Sequence, residues 1–242
     1  MKTFKLIVLL IVSIFTSSLN AQEIINIEND STFSTDYRDG AEWAYCSKAN
    51  FIVGINNQEI KDDYGKFYQI NIYIHNCSTE PYTFDPAIVR SELYKSNGDT
   101  IHLTVYTNES FQKKIKKTQN WAMALTAFSN GLNSGMAGYQ TTYTTQRVGN
   151  YTYTTPVTTY NHAAASTAQI ASNTQMALMD RQMKEDRTVR EEGYLKKNTI
   201  YPNEAIVGFM NIKRKKGEIV KVDIPINGEV FSFTWDVSKK KK

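Results

Sequence analysis

The chain has 242 residues, of which 41% are hydrophobic and 21% charged, and this composition excludes a largely disordered chain and a membrane protein with several spans. Its formal net charge is +4, and leaving out Lys2, Lys5 and the four lysines at 239–242 turns this value into −2. A body so near neutrality lacks the basic surface of a nucleic-acid-binding protein, and we expect no nucleic-acid partner.

Residues 1–21 have the order of a secretory signal peptide. Two lysines precede an apolar run at 6–15, which is shorter than the ~20 residues needed to span a bilayer. The segment ends in Leu19-Asn20-Ala21-Gln22, which resembles the leaders of bacterial envelope proteins. We therefore expect cleavage after Ala21 and export to the periplasm or the cell exterior of a bacterium, with an uncleaved anchor as the alternative.

Two regions, 22–107 and 198–238, show the period-two alternation of β-strands with one apolar face. The alternating runs are 68–74, 101–105, 220–226 and 231–235. Asn97-Gly98 and Asn227-Gly228 tolerate the positive φ that two-residue hairpin turns require. These signals predict seven or eight short strands, which close best as two packed antiparallel sheets.

Cys46 and Cys77 are the two cysteines of the chain. An exported protein meets oxidising conditions. A bridge between these residues would close a loop of about 30 residues and stabilise the fold by on the order of 3 kcal/mol. The sequence therefore predicts a Cys46–Cys77 disulfide, with two buried free thiols as the alternative.

Turn and packing motifs in the two β regions resemble those of a known family. The first motif runs from Asn76-Cys77-Ser78 to Tyr82-Thr83-Phe84-Asp85-Pro86, and the second joins Asn198-Thr199-Ile200-Tyr201-Pro202-Asn203-Glu204 to Gly208-Phe209. The chain thereby resembles small secreted bacterial immunoglobulin-like domains, the antigen-like family. The resemblance implies an Ig-like β-sandwich of unknown function over these regions, and it carries over no active-site residue.

Between residues 108 and 197 the apolar spacing changes to that of helices. A first helix, capped by Asn108 or Ser110, has an apolar stripe consisting of Phe111, Ile115, Ala122 and Leu125, widened by Trp121, Phe128 and Leu132. A second helix begins near Ala163 and ends near Glu192, and its packing face consists of Ala164, Ala168, Ala171, Gln175, Leu178, Gln182 and Val189. We predict a mainly β fold with inserted α: an Ig-like antiparallel β-sandwich, interrupted over 108–197 by a long antiparallel helical hairpin and followed by a basic tail at 239–242.

Two features of this hairpin suit contact with a partner. Ala127, Gly131 and Gly135 lie opposite the apolar stripe, and such small residues let another backbone approach closely. The tip, residues 139–160, consists mostly of Thr and Tyr, which favour strands and offer aromatic faces and hydroxyls for protein or carbohydrate contact. The candidate contact tyrosines are Tyr139, Tyr143, Tyr151, Tyr153 and Tyr160. A β-hairpin or ordered loop is the binding interpretation of this tip, and a mobile polar loop that binds nothing is its alternative.

The sequence lacks the short motifs of the common enzyme classes. It has no nucleophile elbow, no phosphate-binding glycine loop and no dinucleotide fingerprint. Its three histidines lack the spacing of a metal site. The helical spacing of Met176, Met179 and Met183 is more typical of packing than of a soft-metal site. We therefore predict no catalytic residue, no metal and no cofactor.

These patterns favour a non-enzymatic exported envelope protein, in which an Ig-like scaffold presents the hairpin to a partner protein or to a second copy of the chain. One alternative is a protein whose hairpin inserts into a membrane through its Ala- and Gly-rich halves and its tip. Another alternative is a hydrolase that acts on glycans, which requires a deep pocket with two carboxylates or a metal.

Overall fold

The computed structural model describes residues 24–25, 32–38, 40–148 and 151–238. The predicted signal peptide (1–21) and the predicted basic tail (239–242) lie outside these residues. Up to the first helix the strands are β1 (Ile24–Ile25), β2 (Phe33–Arg38), β3 (Ala41–Lys48), β4 (Phe51–Asp62), β5 (Gly65–Asn76), β6 (Tyr82–Phe84), β7 (Arg90–Tyr94), β8 (Thr100–His102) and β9 (Val105–Tyr106), with a short 3-10 helix (Pro86–Ile88) after β6. The remaining elements are α1 (Asn108–Ala137), β10 (Tyr139–Val148), β11 (Tyr151–Tyr160), α2 (His162–Glu192), β12 (Asn198–Ile200), β13 (Ala205–Lys213), β14 (Ile219–Ile226) and β15 (Glu229–Asp236).

Six strands form one antiparallel sheet in the order β2-β3-β4-β5-β13-β9. Its centre is the long hairpin β4–β5, in which Val53 pairs with Ile74 and Ile55 pairs with Ile72. These four side chains are fully buried, whereas the residues between them, such as Tyr73, lie on the other face of the sheet. The alternation predicted for residues 68–74 is therefore present in the structure.

Five strands form a second antiparallel sheet in the order β1-β15-β14-β7-β8. A two-residue turn joins β14 to β15, as predicted, and its residues Asn227 and Gly228 have φ values of 50° and 83°. The turn between β7 and β8 is longer than predicted: the Lys95 N–H donates to the Asp99 carbonyl oxygen around Gly98, which has a φ of 85°. The glycine therefore marked the position of this turn but not its length.

The two large sheets share one hydrophobic core. The second sheet contributes side chains of β14 and β15, among them Val222, Phe231 and Trp235, and the first contributes those of the β4–β5 hairpin. The core also includes Phe111 and Ile115 from the start of α1. The prediction of a mainly β chain with two helices is confirmed.

Both helices begin at a side-chain cap. The Thr107 hydroxyl accepts a hydrogen bond from the backbone N–H of Ser110 at 3.3 Å, so α1 is capped by Thr107 and not by Asn108 or Ser110 as predicted. Ser110, three residues after Thr107, instead supplies the N–H group that this cap binds. Asn161 caps α2, because its side-chain oxygen accepts from the backbone N–H of Ala164 at 3.1 Å.

The segment that contains the helices leaves and re-enters the first sheet at neighbouring points. Tyr106 in β9 pairs with Asn211 of β13, and Tyr194, which follows α2, forms a bridge to Phe209 of the same strand. Two residues along a strand span ~7 Å. The Tyr194 hydroxyl donates to the Tyr106 carbonyl oxygen at 2.8 Å. Both ends of the segment are therefore held side by side on one strand.

The cysteines do not form the predicted disulfide. Cys46 lies buried in β3 and Cys77 lies exposed after β5, and they are not joined by a disulfide. Strand β4 lies between β3 and β5. Two strand spacings amount to ~9.5 Å, which exceeds the Cα separation of up to ~7 Å that a disulfide tolerates. The prediction missed this because the sequence does not show which strand lies between two others.

Candidate functional site

The bases of the two helices are fixed to the turn between β4 and β5 by a polar network. The Tyr64 hydroxyl donates to Asp186 Oδ2 at 2.6 Å and accepts from Gln119 Nε2 at 3.0 Å. Tyr64 therefore contacts both helices, since Gln119 belongs to α1 and Asp186 to α2. Burial and the hydrogen bond to Asp186 raise the pKa of Tyr64 to about 12, so the phenol stays protonated and can donate.

Arg190 completes this network from α2. Its Nη1 donates to Asp62 Oδ2 at 2.8 Å, and its Nε donates to Asp186 Oδ1 at 2.9 Å. Its guanidinium also lies 4.8 Å from the centre of the Tyr64 ring. Side chains of the Asp62–Arg190 pair are 18% and 28% exposed, so the pair is more shielded from water than an ordinary surface ion pair. These contacts fix the direction in which α2 lies against the sheet.

An aromatic cluster fixes the start of α1. The centre of the Phe111 ring lies 5.5 Å from that of Phe67, 5.8 Å from that of Tyr106 and 5.4 Å from that of Tyr194. The Tyr194 hydroxyl accepts from the backbone N–H of Asn211 at 3.0 Å, and burial raises the pKa of this phenol. Because Phe111 is fully buried, its position sets the rotation of α1 about its own axis.

Beyond this junction the two helices face each other through polar and small side chains and methionines. The partly or fully buried residues there include Gln119, Ala122, Thr126, Asn130 and Ser134 of α1 and Ala165, Ala168, Ser172, Met176, Met179 and Met183 of α2. Gln119 Nε2 donates to the Met183 carbonyl oxygen at 3.1 Å, and Asn130 Nδ2 donates to Gln175 Oε1 at 3.4 Å. Since residue numbers rise along α1 and fall along α2 in these pairs, the helices run antiparallel.

The predicted packing face of α2 is wrong by about one position. Leu178 and Val189 of that face are 57% and 70% exposed. The residues turned toward α1 are instead the half-buried Met176, Met179 and Met183. This location agrees with the packing interpretation of the methionines.

The predicted stripe of α1 turns inward only at its start. Phe111 and Ile115 are buried, Ala122 is half-buried, and Leu125 is 59% exposed. The reason is geometric: with Phe111 and Ile115 anchored in the core, steps of three and four residues along the same face reach Gln119 and further polar side chains. The apolar residues of the distal part therefore lie on a different face.

Five large apolar side chains form a row on that exposed face of α1. They are Trp121, Leu125, Phe128, Leu132 and Met136, and they are 54–72% exposed. Their spacing of four, three, four and four residues places them on one side of the helix. We refer to these five residues as the outer stripe.

The surroundings of the outer stripe are almost free of charge. From residue 118 to residue 179 the sequence contains one residue of the Asp, Glu, Lys and Arg types, Arg147. The lysines of α1 lie at 113–117, and the charges of α2 begin at Asp180. A count of charges along the sequence shows that this lack of charge extends over more than half of each helix.

The small residues predicted as contact sites lie outside the seam between the helices. Ala127 and Gly131 are exposed, and a Cβ added to Gly131 would meet no atom within 4 Å. Gly135 lies in α1, but its surroundings are outside the described side chains. A role of these residues in contact with a partner stays a prediction.

The Tyr/Thr-rich tip forms a β-hairpin, which is one of the two ordered forms expected for it. Strands β10 and β11 pair along their whole length. Tyr139, Tyr143 and Tyr160 have exposed side chains, and the ring centres of Tyr139 and Tyr160 lie 5.0 Å apart. Tyr151 and Tyr153 belong to β11, with side chains outside the described ones. The described tyrosines thus lie at solvent-accessible positions at the end of the helix pair.

Three clefts carry acidic side chains. One, of about 410 Å³, lies at the base of the helix pair and contains Asp63 and Asp186. A second, of about 580 Å³, lies on the six-stranded sheet and has aromatic residues around a single carboxylate, Asp36. Another, of about 500 Å³, lies between the helix bases, where Glu109 and Glu191 are surrounded by basic side chains. All three are open to solvent, so none is the deep pocket that the glycan-hydrolase alternative requires. Among the described residues, no group of three or more His, Cys, Asp or Glu is placed to hold a metal ion.

None of the protein-family models, curated proteins or solved structures compared with the chain matches it. Within the described part of the chain, neither helix is long and apolar enough to cross a membrane. The outer stripe is a row of apolar side chains that the described fold does not bury.

Proposed function

We propose that the chain is a non-enzymatic exported protein, in which an Ig-like β-sandwich presents an antiparallel helical hairpin to a protein partner. The observation that carries this proposal is the outer stripe. Its five side chains expose on the order of 600 Å² of apolar surface. Patches of this size on a soluble monomer are usually functional, because uncovered apolar surface is unfavourable in water.

The junction between the hairpin and the body supports a binding role. The Tyr64–Asp186–Arg190 network and the cluster around Phe111 join the two helices to the sheets. A surface that is already fixed in place loses little conformational entropy when it binds. The hairpin is therefore suited to contact a partner without prior ordering.

The surroundings of the outer stripe favour a protein over a membrane. Helices that lie on a membrane surface usually carry Lys or Arg along their polar face, where these residues reach anionic headgroups. In α1 the lysines are confined to 113–117, and the stripe begins after them. Its polar neighbours include Thr118, Asn120 and Ser129, which can form the hydrogen bonds of an interface rim.

Site-specific photo-crosslinking in producing cells tests this proposal. A benzophenone side chain replaces Phe128 in one full-length chain and Tyr201 in a control chain, since both are exposed aromatic residues and Tyr201 lies on the β body. We expect irradiation to join the chain to a protein through position 128 and not through position 201. Mass spectrometry of the purified chain in the same experiment should show Gln22 as the N-terminus, as export requires.

The outcomes separate the candidate functions. A folded chain that captures no protein through position 128 contradicts the proposal. Capture of lipid alone through that position supports the membrane alternative instead.

A further inference from the structure

We infer that the protein partner is a second copy of this chain, bound through the outer stripe of each copy with the two α1 helices antiparallel. This inference rests on the proposed function, since it names the partner of the same surface. It is carried by the order of the five side chains along α1, by their small neighbours and by the absence of charge around them.

The outer stripe is close to symmetric about its middle. Trp121 and Met136 are equally far from the midpoint between Phe128 and Ser129, and so are Leu125 and Leu132. A two-fold symmetric interface requires a surface that is complementary to itself. With the two-fold axis at this midpoint, Trp121 lies opposite the partner's Met136, Leu125 lies opposite the partner's Leu132, and Phe128 lies near the axis.

The pairs formed in this way are chemically compatible. Trp121 opposite the partner's Met136 brings a thioether to an aromatic ring, which is a favourable contact. Leu125 opposite the partner's Leu132 is the kind of pair found in coiled-coil seams, and the steps of four, three and four from Trp121 to Leu132 alternate as in such a seam. Both pairs occur twice in the dimer because of the two-fold symmetry.

The residues beside the stripe allow a second helix to approach closely. Ala124, Ser129 and Gly135 lie three or four residues, or two turns, from members of the stripe and therefore flank it on the helix surface. All three are small. The predicted contact site Gly135 thus lies next to the stripe, where a partner helix would meet it.

The area and the charges fit a dimer as well. A stable interface buries about 800 Å² per partner, and the outer stripe with its small neighbours presents surface of that order. Residues 118–138 contain no Asp, Glu, Lys or Arg, so two antiparallel copies bring no like charges together there.

Parallel pairing is disfavoured by the rest of the molecule. It would place the lysines at 113–117 beside the same lysines of the second copy. It would also place the two β bodies at the same end of helices only ~8–10 Å apart, although a body of this size has a radius of gyration of about 13 Å. Antiparallel pairing puts the bodies at opposite ends.

Sedimentation of the full mature chain tests the inference. In the stripe variant, Leu125→Glu and Leu132→Glu place charges on the stripe. In the control variant, Leu178→Glu and Val189→Glu place charges on similarly exposed apolar positions of α2. We expect a wild-type dimer at micromolar concentration, a dissociation constant raised by roughly 100-fold or more in the stripe variant, and an unchanged constant in the control. Circular dichroism should show the same helix content in all three.

Cysteine crosslinking tests the orientation in a Cys77→Ser background. Trp121 and Met136 are ~22 Å apart along one helix, so Trp121→Cys alone should not form a disulfide-linked dimer. A mixture of Trp121→Cys and Met136→Cys chains should form one. A disulfide formed by Trp121→Cys alone overturns the antiparallel arrangement.

Failure of this inference and failure of the proposed function give different results. Two results would contradict the inference that the partner is a second copy: a chain that stays monomeric up to about 100 µM, or a stripe variant that dimerises like the wild type. If position 128 then crosslinks to a different protein, the proposed function still holds. If it crosslinks to no protein, both are wrong.

Discussion

The base and the distal half of the helix pair belong to the same two helices, but α1 turns its large apolar side chains inward at the base and outward in the distal half. At the base, the aromatic ring of Phe111 faces the core, and a shielded ion pair between Asp62 and Arg190 lies at the sheet. In the distal half, α1 turns polar residues such as Asn130 and Ser134 toward α2 and leaves the outer stripe in solvent. The distal half thus keeps its apolar surface available for another molecule.

This comparison shows that side chains buried at one end of a long helix determine which of its faces is exposed along the rest of its length. The sheets bury Phe111 and Ile115, and from that point the rotation of α1 is settled. The distal turns contact α2 through small side chains and methionines and through the Asn130–Gln175 hydrogen bond, and such a bond contributes only about 1 kcal/mol. The apolar residues that could have formed a second core between the helices are on the outside.

The largest expected difference is between the two phenylalanines of α1. Phe111→Ala removes a fully buried ring that contacts three others, so we expect the free energy of unfolding to fall by about 3–5 kcal/mol. Phe128→Ala removes an exposed ring and should change it by less than about 0.5 kcal/mol in the monomer. Urea unfolding at submicromolar concentration measures both, and equal losses would contradict the comparison.

Two glycines give the next largest contrast. Gly131→Ala in the distal half meets open space and should raise the free energy of unfolding by up to about 1 kcal/mol, because alanine favours a helix. Gly193→Ala at the base would place a Cβ 2.8 Å from the Phe209 ring and should lower it by about 1–3 kcal/mol. Thermal unfolding of the two variants compares them directly, and a loss at Gly131 would show that the distal face is covered in the monomer.

A third expected effect is a loss of stability in alkali, to which the base contributes through Tyr64. The pKa of Tyr64 is about 12 in the folded chain and 10.0 in an ordinary tyrosine. A raised pKa means that the protonated phenol stabilises the folded state fully below pH 10, and this contribution is lost as the pH rises from 10 to 12. Tyr64→Phe should therefore lose less stability than the wild type over that interval. Urea unfolding at several alkaline pH values measures the difference, and parallel curves would contradict it.

The sequence predicted those elements whose signals are local. Period-two runs gave β5, β14 and β15, and Asn227-Gly228 gave the turn between β14 and β15. The number of strands was predicted wrongly: the described β regions have 13 instead of seven or eight, and the run at 101–105 is divided between β8 and β9 of different sheets. The change to helical spacing located α1 and α2 within a few residues. Each of these signals depends on neighbours along the chain, so no knowledge of the tertiary structure was needed.

The rest depended on contacts between distant residues. The disulfide prediction was wrong because β4 lies between the strands that carry Cys46 and Cys77. The exposed side of α1 was predicted wrongly because its apolar residues form one broad, drifting band, and only the seating of Phe111 and Ile115 decides which part of that band faces inward. Tyr64, Asp186 and Arg190 were missed because residues far apart in sequence form their network.

The side-by-side placement of Tyr106 and Tyr194 on β13 makes the helical segment an exchangeable unit. A short glycine-rich linker can join two chain ends that lie only ~7 Å apart. Such a shortened chain would lose Phe111 and Ile115 from its core, so hairpins of other lengths or sequences grafted onto the same strand have to keep the first turns of α1. In evolutionary terms, such an attachment point lets the binding part diversify while the scaffold that carries it stays constant.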